Sequence, residues 1–189
     1  MSRLLGAGGA GAGQQSLADV KFTSAHKNVS ISPNCAVATK QKVCGPALPK
    51  AAICEKYVMN FGVHYAEFEA VGAVGEVGGR LAGVTAPGFD ISGGACPTGS
   101  SVGWGMDTWV GNCKLRHGGK ETDWHGRETW VSGETLGLKL DLGAGTLDVF
   151  LNGRSLGVIA RGLAGPLCWH VEVTRAGDAM GIQGKSPPQ

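Results

Sequence analysis

No stretch of apolar residues in this 189-residue chain approaches the ~18 that a bilayer-crossing helix requires. No run of one charge sign occurs either: 17 basic and 15 acidic residues are interspersed, for a formal net charge of +2. Without a basic stripe there is no electrostatic footprint for a phosphate backbone or an anionic lipid surface. Neither nucleic acid nor a membrane is therefore expected as a partner. No C-x2-C pair anchors a zinc knuckle, and no sequence repeat recurs. No segment carries apolar residues at the three- and four-residue spacing of an amphipathic helix. At the N-terminus, Met1-Ser2-Arg3-Leu4-Leu5 passes at once into Gly6 to Gly13, too short and glycine-rich for the apolar part of a secretory signal. The expectation is an intracellular, cytoplasmic protein, with the nucleus also open to it. The Asn28-Val29-Ser30 sequon is then incidental, and Cys35, Cys44, Cys54, Cys96, Cys113 and Cys168 are reduced thiols.

What the chain does have is turns and short alternating segments. Thirty-three glycines and eight prolines punctuate it. Leu136, Leu138, Leu140 and Leu142 alternate with Gly137, Lys139 and Asp141, the period of a strand with one buried face. Gly143-Ala144-Gly145 supplies a turn, and Asn152-Gly153 closes the next hairpin in a type I′ geometry that needs positive φ at both positions. In that register Leu151 faces Arg154, Val149 faces Leu156, Leu147 faces Val158, and Asp148 falls opposite Gly157. Val29 to Ser32 followed by Ala36 to Thr39 reads as an early hairpin, and Cys54 to Asn60 as a short β-leaning piece. From Tyr65 to Val71, Ala66, Phe68 and Ala70 take one face and Tyr65, Glu67 and Glu69 the other. The segments 72–80 and 86–102 read as loops, and residues 14–20 hold one turn of helix at most. Strands of this number and spacing imply an all-β sandwich of two antiparallel sheets.

Together these segments resemble a SPRY domain. The strand ending Leu140-Asp141, then Gly145-Thr146-Leu147 through Asn152-Gly153 to Leu156-Gly157-Val158, then Gly162-Leu163 and Gly165-Pro166-Leu167, looks like the family's C-terminal half. Gly62-Val63-His64-Tyr65-Ala66-Glu67-Phe68-Glu69-Ala70 resembles its G-x-H-Y-W-E-V-E-V strand, with Ala66 in place of the usual aromatic. Gly83-Val84-Thr85-Ala86, Gly103-Trp104, and Lys114 to Lys120 resemble three further elements. The resemblance runs from about Val20 to Ile182, and the order and spacing of the motifs carry it. It implies a domain over residues 17–183 between a flexible tail, 1–16, and a short C-terminal tail, 184–189. It further implies a monomeric, non-catalytic module that takes no cofactor or metal. Such a module binds a partner protein or peptide as an adaptor or substrate-recognition domain. Loops at one end of the sandwich would form the binding patch: Phe89 and Asp90 after the Gly83-Val84 element, Trp109 after Gly103-Trp104, and Arg175 and Asp178 in the turn after the penultimate strand. A lectin-like, glycan-binding sandwich is the alternative, and would need a calcium loop of paired Asp and Asn ligands.

Several segments imitate catalytic motifs. Gly6 to Gly11 fits G-x-G-x-x-G but lacks the flanking strand and helix that receive a pyrophosphate. Gly99-Ser100-Ser101-Val102-Gly103 fits G-x-S-x-G, with Asp141 and His170 following in hydrolase order, yet no helix follows to hold the strained nucleophile turn. Glu67 and Glu69 share a strand face, as the acid and nucleophile of a glycosidase would, although alternating Glu is ordinary on a solvated face. Cys113 and His117 have a C-x3-H spacing without the second pair that zinc requires. Trp104 and Trp169 belong to the core on this reading, whereas Trp109, Trp124 and Trp130 sit among polar residues and glycines, as loop anchors or lids do.

Overall fold

The computed structural model describes residues 16–42, 45–72, 79–108, 113–126 and 128–188. The Gly6 to Gly11 pattern, Cys44 and Trp109 lie outside them. The described chain forms fourteen strands: β1 (Ser24–Ala25), β2 (Val29–Ile31), β3 (Val37–Lys40), β4 (Lys50–Ile53), β5 (Val63–Val71), β6 (Arg80–Thr85), β7 (Gly103–Asp107), β8 (Lys114–His117), β9 (Lys120–Thr122), β10 (Thr135–Asp141), β11 (Thr146–Leu151), β12 (Arg154–Arg161), β13 (Cys168–Val173) and β14 (Ala179–Gly184). They pair antiparallel into two seven-stranded sheets, ordered β1-β4-β13-β6-β7-β8-β9 and β12-β11-β10-β5-β14-β3-β2. Helix is confined, among the described residues, to 3₁₀ turns at Leu17–Asp19 and Pro97–Gly99.

Alternation builds the core. On β10, Leu136, Leu138 and Leu140 face the opposite sheet and meet Leu147, Val149 and Leu151 of β11 across one side and Phe68 and Ala66 of β5 across the other. The opposite sheet contributes Trp169, Val171 and Val173 of β13 with Ala82 and Val84 of β6. On the outer face of the β5 sheet, Lys139 pairs with Asp148 at 3.7 Å. There Tyr65 lies across Gly137, where a Cβ would fall 2.1 Å from its hydroxyl, and meets the Phe150 ring edge-on at 5.7 Å.

The Asn152-Gly153 turn forms as the sequence indicates, with φ of 50° and 79°. Asn152 also ties the hairpin to β10, its side-chain oxygen accepting the Thr135 amide at 2.9 Å. Beyond the turn the register departs from the simple ladder. Leu151 faces Arg154, but Val149 faces Gly157, Asp148 faces Val158 and Leu147 faces Ala160. Two bulges insert Leu156 and Ile159 on β12, which is an edge strand. Bulges twist such edges away from further pairing, and Gly157, at φ 105°, supplies the first. Ile159 and Ala160 are consequently buried, while Leu156 and Val158 are half-buried. The early hairpin is β2 and β3. The piece 54–60 is a loop that keeps only one ladder contact, Met59 to Leu167, because β4 ends at Ile53.

Trp124 and Trp130 are buried rather than exposed. Residues 123–126 leave the free edge of one sheet, β9, and residues 128–134 lead into β10 of the other, and these two indoles plug the open side of the sandwich. Each finds an acceptor: Trp124 donates to the Cys113 carbonyl at 2.8 Å and Trp130 to the Glu134 carbonyl at 2.9 Å. The segment presses on the β12 edge through Gly126, where a Cβ would lie 2.2 Å from the Leu156 carbonyl oxygen. An ion pair from Glu128 to Arg154 fastens it. Trp169 is in the core, whereas Trp104 is half-buried and stacks on His117 at 4.5 Å.

Replacing Gly153 with Val should cost about 1–2 kcal/mol, the penalty for a side chain at left-handed φ. Gly93→Ala, where a Cβ meets nothing within 4 Å, should stay within about 0.5 kcal/mol of the parent. Urea unfolding of both variants checks this.

Candidate partner-binding surface

The ends of the β13 sheet are set by one register. Cys168 pairs with Thr85, and five positions further Val173 pairs with Arg80. The loop after β6 and the turn after β13 therefore leave from opposite ends of the sheet, roughly 17 Å apart at strand rise. Phe89 and Asp90 lie beyond Thr85. Arg175 and Asp178 lie beyond Val173, and so does Thr108, whose amide donates to the Arg80 carbonyl at 2.9 Å and which leads into Trp109. Trp109 lies outside the described residues, and Phe89, Asp90, Arg175 and Asp178 accordingly do not form one patch. Antiparallel pairing of β6 with β13 separates them into two groups.

Asp178 is also not a surface contact. It is 6% exposed, its Oδ2 accepts the Arg175 amide at 2.7 Å, and its Oδ1 faces Nη2 of the equally buried Arg80 at 3.5 Å. It closes its own turn and holds the β13–β14 connection against the start of β6. Arg175 is exposed. Asp90 is exposed too and belongs to a local turn, with the Ser92 hydroxyl at 2.6 Å and amide at 2.8 Å holding its carboxyl below the usual range. Phe89 is half-buried, packed with Val58 against Ala51, Ile53, Ile91 and Cys168.

That packing shows what the long loop 86–102 does. With Trp169 turned inward, Cys168, His170 and Glu172 of β13 point outward, and the loop covers them. Its anchor is Glu172, which is 2% exposed and accepts the Thr98 amide at 3.0 Å and hydroxyl at 2.8 Å, with His170 Nε2 at 3.5 Å. Burial alone would raise the Glu172 carboxyl. The electrostatic interaction with His170 and the two bonds from Thr98 outweigh it and leave the group below its ordinary range. Beside this anchor a cavity of about 390 Å³ opens between Pro49, Leu81, Asp107, Arg116, Glu121 and Thr174.

At the Phe89 end the chain passes from one sheet to the other through residues 54–62, and here the structure exposes a residue that the sequence did not single out. Phe61 is 76% exposed and Val63 is 52% exposed, beside the half-buried Val58. The turn is rigidly built. Gly62 sits at φ 83°, and its carbonyl accepts the Leu142 amide at 2.9 Å. The Phe61 carbonyl lies 3.0 Å from His64 Nε2, whose Nδ1 is 3.3 Å from the Tyr57 hydroxyl. The available signal was an aromatic set between Asn60 and Gly62 immediately before a strand.

The catalytic imitations do not assemble. Ser101 is an exposed turn residue, Asp141 caps its own turn through the Gly143 and Ala144 amides at 2.9 Å, and His170 lies buried in the other sheet. Glu67 and Glu69 do share an outer face and line a shallow groove of about 270 Å³, but Glu67 is engaged by Lys185 and the Tyr65 hydroxyl. Among the described residues no group of three or more His, Cys, Asp or Glu gathers as metal ligands would. Cys35, Cys54, Cys96, Cys113 and Cys168 are free thiols.

An all-β sandwich of two antiparallel seven-stranded sheets is the class that this arrangement defines. No family model and no curated protein matches the chain. Among solved structures it is similar to the SPRY domain of human HERC1, at 16% identity and a TM-score of 0.68 over 85% of this chain and 94% of that domain. It is also similar to the PSpry domain of TRIM65, at 18% identity and 0.65 over 87% and 92%. Stonustoxin contains the same arrangement within 28% of its length, at 16% identity and 0.64 over 87% of this chain. The fold of the chain is that of SPRY domains.

Two outcomes follow from the anchoring groups. Removing Asp178 leaves the Arg80 guanidinium buried and unpaired, so Asp178→Ala should cost about 3 kcal/mol or more, against less than about 1 kcal/mol for Arg175→Ala; thermal melts separate the two. Because the folded-state affinity of Glu172 for its proton is depressed, its contribution is complete above the unfolded range near pH ~4.3. It fades as pH falls through the lower folded value. Glu172→Gln should therefore flatten the loss of stability below about pH 4.3, measured as unfolding free energy against pH.

Proposed function

We propose that this chain is a non-catalytic protein-interaction module, acting as an adaptor or substrate-recognition domain, that grips a partner protein or peptide at the Phe61 end of its sandwich. The observation that carries this reading is an aromatic ring 76% in water on a turn whose backbone is held by His64, Tyr57 and Leu142. A large apolar side chain presented to solvent on a hydrogen-bonded turn is buried when a partner covers it, and such aromatics dominate binding energy at interfaces. Val63, 52% exposed two residues further on, adds a second apolar side chain, and Phe89 and the exposed Asp90 lie at the same end of the sandwich. Likeness in fold to the HERC1 and TRIM65 domains supports recognition rather than chemistry.

The test compares capture of proteins from a lysate by the parent, Phe61→Ala and Arg175→Ala, followed by titration of the recovered partner. Phe61→Ala should retain the parental melting temperature and weaken the partner by about 2 kcal/mol, near thirtyfold. Arg175→Ala should bind as the parent does. Full affinity in Phe61→Ala with loss in Arg175→Ala would move the site to the opposite end.

A further inference from the structure

At the opposite end, where Arg80 pairs with Val173, three basic side chains gather. Register sets two of them side by side, and the end of β3 in the other sheet brings the third. The His26 amide donates to the Ala51 carbonyl at 3.0 Å, which sets His26 beside Lys50. Lys50 is the partner of Val173, the last residue of β13. Lys40 ends β3 against the turn at Gly177 and Asp178, bonded to both through its backbone at 3.0 and 2.8 Å. The loop at Gly93 to Cys96 closes over them. Lys50 Nζ donates to the Gly94 carbonyl at 3.2 Å. A Cβ on Gly94 would lie 2.7 Å from Lys50 Nζ and 3.8 Å from His26 Nε2, so both nitrogens lie against the Gly94 backbone and Lys50 takes the space that a side chain there would need. His26 Nδ1 accepts the Asn28 amide at 3.0 Å, which places the proton of the neutral ring on Nε2, toward Gly94.

These groups have no counter-charge. His26 is 4% exposed and Lys40 is 3% exposed, and among the described residues none of the three forms an ion pair. The nearest buried acids are committed elsewhere, Asp178 to Arg80 and Glu172 to Thr98. Burial, then Lys50, holds the Lys40 ammonium below its ordinary range. Burial, then Lys50, Lys40 and Lys27, does the same for His26. A buried ammonium without a partner opposes folding, and the two ammonium groups of Lys40 and Lys50 repel one another. An arriving anion would relieve both.

We propose that His26, Lys40 and Lys50 form an oxyanion site for a phosphate monoester or free phosphate. Two ammonium groups match the two charges of a phosphate dianion, where a carboxylate offers one, and the imidazole N–H supplies a third donor. Lys50 binds it by exchanging the Gly94 carbonyl for a phosphate oxygen. The site is at the other end of the sheet from Phe61, so it does not rest on the protein-interaction reading, and either can fail alone.

The test titrates the protein with inorganic phosphate and with a phosphoserine peptide, against chloride and acetate at equal ionic strength. Binding is read from the melting temperature and from the His26 ring proton in NMR spectra taken across pH. Phosphate should raise the melting temperature beyond chloride and shift the His26 titration to higher pH. Tighter binding of the phosphoserine peptide would identify a phosphorylated side chain as the source, and equal binding the free ion. Lys40→Met keeps the side-chain volume while removing the unpaired charge. It should be at least as stable as the parent without phosphate and bind phosphate about tenfold more weakly or worse. Lys50→Gln, at a half-buried position, gives the same reading if Lys40→Met fails to fold. The proposal is overturned if phosphate acts no differently from chloride, if acetate binds as tightly, or if both variants keep the parental affinity.

Discussion

The contact on which the rest of this structure depends is between Trp169 and Phe68. Each sits on a central strand of its sheet, each is fully buried, and their rings meet edge-on at 6.0 Å. Edge-to-face aromatic pairs are favourable beyond the area they bury, and this one spans the gap between the sheets. Packing there is tight enough to leave the Trp169 indole nitrogen without a hydrogen-bond partner, a cost that the surrounding burial must offset. Once Trp169 faces inward, the two-residue period of a strand fixes every other side chain of β13. Val171 and Val173 join the core, and Cys168, His170 and Glu172 must face outward.

An outward row containing a thiol, an imidazole and a carboxylate could simply have been left in water. Here it is roofed by loop 86–102, fastened through Thr98 to Glu172. The roof has two consequences. At one end it brings Phe89 and Ile91 down on Ile53 and Cys168, extending the apolar surface toward Val58 and Phe61. At the other it carries Gly94 over Lys50 and His26, so that basic groups from three separate strands and turns are shut in together. One loop thus gives the sandwich an apolar end and a basic end.

Closure of the sides is a separate problem. Short strands and charged side chains protect β9, while bulges at Leu156 and Ile159 and residues 123–126 and 128–134 protect β12. Ala66 leaves a small side chain where related patterns carry an aromatic, and the indoles of Trp124 and Trp130 enter the same buried cluster from the loop. Two tryptophans that the sequence leaves open as loop anchors or lids act as lids, core residues delivered by a connection.

By itself the sequence determined what depends on neighbours along the chain. Alternation of leucines placed β10, positive-φ chemistry at Asn152-Gly153 fixed the turn, and the order of short segments specified two antiparallel sheets; each is a property of local backbone sterics and side-chain period. It also paired Leu151 with Arg154, but not the residues beyond, because a bulge is decided by edge twist and by what covers the edge. The site was less legible for the same reason. Phe89, Asp90, Arg175 and Asp178 were placed on loops, as the structure has them. Yet the direction in which β6 runs against β13 assigns them to opposite ends, and the charge on Arg80, more than ninety residues away in sequence, turns Asp178 from a contact into a strut. His26, Lys40 and Lys50 form no charge run, so their convergence exists only in three dimensions. Only the tertiary structure could decide these matters, since burial, pairing across sheets and the distance between charges are set by the packing of segments that the sequence keeps apart.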